Sequence, residues 1–105
     1  MLRAGIIGCT GIGREHAAGL AGLENVDVVA ACDLNAAAAE SFRADMSDFW
    51  DDITAYTGHT AMLAEQALDV VTVATGDNAH ATLVVDAARA GVRGIFCEKP
   101  LATSV

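Results

Sequence analysis

Short apolar segments alternate along the chain with longer ones in which apolar residues recur at helical spacing. Residues 2–8 form a nearly continuous apolar run, the pattern of a strand buried on both faces. Residues 12–23 follow with Ile12, Ala17, Leu20, Ala21 and Leu23 available for one buried helix face. Val26–Cys32 is the next buried strand, and residues 35–46 make a second helix, with Asn35 as N-cap and the run from Ala36 to Ala39 supplying propensity. Residues 47–57 show neither period, because Phe49, Trp50, Ile53 and Tyr56 fall on no common face, so a loop and a short strand near Thr54–Tyr56 are predicted there. A short helix from 59 or 60 to 67, a β-branched strand over 69–75, a helix over 78–90 closed by Gly91, and a last strand over 95–97 complete the series.

Strands alternating with helices, each strand apolar on both sides, predict an α/β fold: a doubly wound, Rossmann-like parallel sheet of about five strands with helices on both faces. The chain is expected to be one domain over residues 1–105, without repeats or linkers. Pro100 is its only proline, and Thr103 with Ser104 looks like the start of a further helix. The domain is therefore expected to be cut short of its final helix and strand.

Composition then narrows the class. Apolar residues make up 53% of the 105 and aromatics only 5%, so a core built largely on small side chains is expected and intrinsic disorder is not. The net charge is -8, and the basic residues Arg3, Arg14, Arg43, Arg89, Arg93 and Lys99 are scattered, which leaves no cationic stripe for nucleic acid. No apolar run approaches the roughly 18 residues of a membrane span, and residues 1–3 lead straight into a strand pattern rather than a signal-peptide core. A soluble, cytoplasmic protein without membrane partners is expected. Cys9, Cys32 and Cys97 show no paired metal-ligand spacing; they read as free, buried thiols in a reducing compartment, and no metal site is expected.

Candidate chemistry collects where strands end. Gly8-Cys9-Thr10-Gly11-Ile12-Gly13 is a glycine-rich turn between the first strand and the first helix, where backbone N–H groups and the helix dipole favour a pyrophosphate. Such a turn alone is weak. Here a strand precedes it, a helix follows, and Asp33 closes the second strand 20 residues after Gly13, where a carboxylate accepts from ribose hydroxyls. The bland readings are a tight turn without a ligand and, for Asp33, a helix-capping carboxylate. Asp33 followed by Leu34 and Asn35, with no Arg or Lys, favours NAD over NADP, because a carboxylate repels a 2′-phosphate. The fourth and fifth strands also end in polar residues: Thr75, Asp77 and Asn78 with His80, then Glu98, Lys99 and Pro100. Ligands of open parallel sheets bind outside these ends. Lys99 is the only lysine, and its bland reading is a surface charge beside Glu98.

Gly5 to Gly8, Gly11-Ile12-Gly13-Arg14 with His16, Val73-Ala74-Thr75 through His80, and Gly94 through Pro100 together resemble the Gfo/Idh/MocA oxidoreductase family. The Glu98-Lys99-Pro100 element is the most discriminating part, since generic Rossmann domains lack it. The resemblance implies NAD(P)-dependent oxidation or reduction of a sugar, cyclitol or related polyol, with the cofactor on this domain and a following α/β domain over the substrate. It also implies frequent homo-oligomers. By the same carry-over Lys99 lies near the nicotinamide and hydrogen-bonds the reacting hydroxyl, Glu98 orients the ribose side, and the Lys99-Pro100 bond is a candidate for the cis form. The proton acceptor comes from the second domain in the family, so this chain alone is expected to bind cofactor without turnover. Thr10 stands where the family usually has its middle glycine, and Gly76 where it often has proline, which bears on cofactor affinity.

The expected cofactor contacts are thus Gly8, Thr10, Gly11, Ile12, Gly13, Asp33, Thr75, Asn78, His80 and Glu98, with Lys99 catalytic. His80 reads equally as a nicotinamide contact or as a first-turn histidine satisfied by local backbone. His16 reads as packing, His59 as a surface or helix-start residue, and Trp50 and Tyr56 as loop anchors. Two other classes fit the glycine turn: a non-catalytic dinucleotide-sensing or interaction module of the same fold, and an S-adenosylmethionine-dependent methyltransferase, against which the Glu98-Lys99-Pro100 element argues.

Overall fold

The computed structural model describes residues 2–9, 12–74 and 77–97; for Ile12, residues 77–81 and residues 96–97 it describes the backbone alone. Strands and helices alternate as the pattern predicts: β1 (Leu2–Ile7), α1 (Ile12–Ala21), β2 (Val26–Cys32), α2 (Ala36–Asp45), β3 (Thr54–Tyr56), α3 (His59–Glu65), β4 (Val70–Val73), α4 (Asp77–Arg89) and β5 (Gly94–Cys97). The strands form one sheet in the order β3-β2-β1-β4-β5. All four pairings are parallel. The order reverses direction between β1 and β4, the topological switch point of a doubly wound sheet.

Two apolar layers flank the sheet. On one side α1 and α2 bring Ala17, Ala39 and Phe42 onto Ala4, Ile6, Val28 and Ala31. On the other α3 and α4 bring Met62, Leu83 and Ala87 onto Ile7, Cys32, Val71 and Val73. The small residues Ala17 and Ala87 are fully buried, so their helices approach the strands closely. Burial on both faces is why the strands carry no polar alternation.

Within β2 the pairing with β1 slips by one residue: Ala4 pairs Val28, whereas Gly5 pairs Ala30. Val29 and Ala30 consequently both face the α3 and α4 layer. Helix ends follow local chemistry. The side chain of Asn35 accepts from the backbone N–H groups of Ala37 and Ala38 at 3.0 and 3.3 Å, the N-cap expected of it. Gly91, with φ +92°, supplies the left-handed residue beyond α4.

Three expectations shift. α1 stops at Ala21, so Leu23 lies beyond the helix and is half exposed rather than part of the buried face. α3 stops at Glu65 and β4 spans only Val70–Val73. Trp50 is buried and anchors the segment after α2, while its neighbour Phe49 stays in solvent. Tyr56 closes β3, in the short strand expected over Thr54–Tyr56, and its hydroxyl donates to Glu65 and accepts from Gln66. His59 opens α3 and meets Asp86 of α4 at 2.7 Å, tying the two helices of that layer.

Cys9 and Cys32 are buried on opposite sides of the sheet and are free thiols. Burial, with the Asp33 charge nearby, pushes the Cys9 thiol up to about 12 and the Cys32 thiol up to about 11. Both keep their protons at neutral pH, so neither is a nucleophile there. Because the folded values lie above the ordinary one, the protonated thiols' stabilisation is complete below pH 9.0 and is lost as pH rises through about 11 and 12. In a Cys97→Ser background, alkylation by iodoacetamide at pH 8 should run about a hundredfold slower in the native than in the urea-unfolded protein. Equal rates would show that the thiols are accessible.

Candidate functional site

The carboxyl ends of the strands lie in one row. Tyr56 of β3 pairs Cys32 of β2, Cys32 pairs Ile7 of β1, Ile7 pairs Val73 of β4, and Val73 pairs Cys97 of β5. From β2 to β5 the row covers three strand spacings, about 14 Å. Gly8 and Asp33 follow directly on Ile7 and Cys32 at this edge.

Gly8 leaves β1 with φ +97°, a backbone conformation that a side chain would strain. Its N–H still donates to the Cys32 carbonyl at 2.8 Å, so the turn begins from a fixed point on the sheet. Gly13, in the first turn of α1, sits directly against Gly8: a Cβ on Gly13 would lie 1.7 Å from the Gly8 carbonyl oxygen and 2.8 Å from its carbonyl carbon. The obstacle is backbone and cannot swing aside. Two glycines thus let the helix begin on top of the strand end, with its N-terminal amides and positive dipole end at the row.

Asp33 ties the turn to β2. One carboxylate oxygen accepts from the Cys9 N–H at 3.0 Å, and the other accepts from the Asn35 N–H at 2.9 Å. The capping reading and the site reading therefore coexist, although the N-cap of α2 is Asn35 and not Asp33. Each oxygen keeps a lone pair for a further donor. Leu34, beside it, is almost wholly exposed and offers no charge. Arg14 is the cation nearest in sequence to the turn, and its guanidinium is already paired with Asp45 at 2.6 Å.

The structure thus brings together Gly8, Gly13 and Asp33. Ile12 opens α1, and Asn78 and His80 lie in the first turn of α4, in backbone terms only. Thr10, Gly11, Thr75, Glu98 and Lys99 lie outside the described residues. Sequence reasoning passed over two participants: the Cys9 backbone, whose N–H is held by Asp33, and Asn35, whose N–H takes the other oxygen. The Asp33-Leu34-Asn35 spacing, an acidic residue two before a helix cap, was the available signal for the second. His16 is half-buried on α1.

A parallel sheet in 3-2-1-4-5 order, with a glycine-bounded helix start and an acidic second-strand end at the switch point, defines a dinucleotide-binding Rossmann domain. Residues 2–105 match the family described as an oxidoreductase family with an NAD-binding Rossmann fold, and the chain belongs to this Gfo/Idh/MocA family. That membership removes the methyltransferase reading. Inositol 2-dehydrogenase of Salmonella paratyphi B is 34% identical over 104 residues, covering 98% of this chain and 30% of that protein. D-apiose dehydrogenase of Paraburkholderia graminis is 35% identical over 103 residues, covering 98% of this chain and 26% of that protein. Among solved structures, myo-inositol dehydrogenase from Lactobacillus casei in complex with NAD(H) and myo-inositol superposes with a TM-score of 0.81 at 32% identity, over 96% of this chain and 29% of that one. The chain spans less than a third of the length of these relatives. Among the described residues no helix is long and apolar enough to cross a membrane.

Replacing Gly13 with alanine should force α1 off the strand end. The expected cost is about 1–3 kcal/mol or more in urea unfolding, with NADH binding lost in calorimetric titration. A Gly13→Ala protein as stable as its parent would show that helix and turn do not meet so closely.

Proposed function

We propose that this chain is the cofactor-binding part of an NAD-dependent oxidoreductase that moves a hydride between a nicotinamide and a CH–OH carbon of a sugar, cyclitol or related polyol. The observation that carries the reading is the Gly8 and Gly13 approach beside the Asp33 carboxylate: the Gly8 carbonyl takes the place a Gly13 Cβ would need, which sets the helix N-terminus on the strand end, and a two-oxygen acceptor stands one strand away. The residues present fit a dinucleotide. Gly8, Thr10, Gly11, Ile12 and Gly13 would hold its pyrophosphate, Asp33 its adenosine ribose, and Thr75, Asn78, His80 and Glu98 its nicotinamide half. When bound, the nicotinamide supplies the hydride donor or acceptor.

The chain's own part in the chemistry falls to Lys99. Its ammonium would donate to the oxygen of the reacting carbinol, lowering the barrier to moving that oxygen's proton. Substrate recognition and the proton acceptor would come from a second α/β domain beyond these residues, as the relatives' greater length and their names as inositol and apiose dehydrogenases support. NAD is favoured over NADP because the Asp33 carboxylate, its backbone bonds already made, meets a 2′-phosphate with like charge, and no cation flanks it at Leu34. Free, buried thiols at Cys9 and Cys32 suit a reducing, cytoplasmic setting.

Asp33→Ala should weaken NADH binding about tenfold or more, the scale of lost hydrogen bonds to a charged acceptor, and narrow the preference over NADPH. Calorimetric titration with both nucleotides measures this, and equal binding of both by the parent protein would overturn the NAD assignment. In the full-length enzyme, Lys99→Ala should leave NADH affinity near that of the parent while cutting kcat by about a hundredfold or more. Unchanged turnover would remove Lys99 from the mechanism.

A further inference from the structure

Arg14, the third residue of α1, is held by two other parts of the fold at once. Its Nε donates to the Cys9 carbonyl at 3.2 Å, inside the glycine turn. Its Nη1 pairs with Asp45 at 2.6 Å and its Nη2 donates to the Ser41 hydroxyl at 3.3 Å, both on α2. The guanidinium carbon also stands 5.9 Å from the centre of the Phe42 ring, within cation–π range. Phe42 is fully buried, so this ring is a fixed surface rather than a mobile one.

Cys9 is what makes the arrangement more than a link between helices. Its N–H is held by Asp33, its carbonyl by Arg14, and its own thiol donates to the Cys32 carbonyl at 3.3 Å. Every polar group of this residue is thus committed, two to the end of β2 and one to α1. Cys9 follows Gly8 and Arg14 follows Gly13, so the bond between them ties together the two glycine positions on which the dinucleotide reading rests. A ligand that meets a crevice already held in shape does not have to shape it.

From this geometry we infer that Arg14 is a positioning residue for the dinucleotide, acting through the Cys9 carbonyl, with Ser41 and the Phe42 ring aiming its guanidinium. The inference rests on the dinucleotide reading of the glycine turn. Lysine does not replace arginine in this role, because one ammonium lacks the planar fork that reaches a carbonyl on one side and a carboxylate on the other. The ion pair with Asp45 is itself partly exposed, with side-chain exposures of 32% and 57%, and surface pairs of this kind add little stability. The main effect of Arg14 therefore falls on ligand binding rather than on folding.

The test compares Arg14→Met, Arg14→Lys and Asp45→Asn with the parent protein, reading the Kd for NADH by calorimetry and Tm by thermal melting. Arg14→Met keeps an apolar stem over Phe42 and loses every donor; it should raise Kd about tenfold, and Arg14→Lys should not restore it. Asp45→Asn removes the ion pair but leaves the bond to Cys9; it should lower Tm about as much as Arg14→Met does while raising Kd by less than about threefold. Arg14→Lys retains charge and length, and reads the role if Arg14→Met fails to fold. Arg14 variants that bind within about twofold of the parent overturn the inference and leave the dinucleotide reading standing. So does a Kd for Asp45→Asn that rises as far as that for Arg14→Met, since the residue would then act only as a tie between helices. Failure of the parent to bind NADH sinks both readings together.

Discussion

The arrangement depends on one close approach between backbones. Gly13 sits where any side chain would collide with the Gly8 carbonyl, and Gly8 adopts a φ that side chains rarely take. Because neither glycine carries a Cβ, α1 begins at the sheet edge instead of standing off by a side chain's width. A helix N-terminus, whose first N–H groups have no partner within the helix, is thereby set at the switch point of the sheet. Asp33 and Arg14 refine this contact by holding the N–H and the carbonyl of Cys9. Arg14 could not do so from a helix displaced outward.

Much of the fold was legible because each strand is buried on both faces and each helix on one. The nine elements, the Asn35 cap and the Gly91 terminus lie where apolar pattern and turn chemistry predict them. Boundaries were less legible. Nothing in the apolar content of Leu23 separates it from Leu20, yet α1 ends between them and leaves Leu23 half exposed. The slip in β2 was invisible for a related reason: Val26–Cys32 is apolar almost throughout, so no polar residue marks the change of face at Val29 and Ala30.

Of the candidate site, the glycines and Asp33 could be read from spacing because the chemistry demands those residue types at fixed distances along the chain. The Arg14 contacts could not. They join residues 5, 27 and 31 positions apart, on elements whose mutual angle is set only by tertiary packing. The same limit applies to His59, read as a surface or helix-start residue, which meets Asp86 across α3 and α4. Spacing rules find groups gathered by one turn, whereas groups gathered by packing emerge only once the layers are assembled.

The slipped pairing in β2 also makes that strand an expansion joint. By letting two successive residues share a face, it absorbs one surplus residue without turning over those that follow, so Ala31, Cys32 and the strand terminus keep their orientation. An insertion or deletion at Val29 or Ala30 can be taken up locally. The same change between Ala31 and Asp33 would invert the carboxylate relative to the glycine turn, so length variation across descendants of this domain is permitted upstream of that point and forbidden just after it.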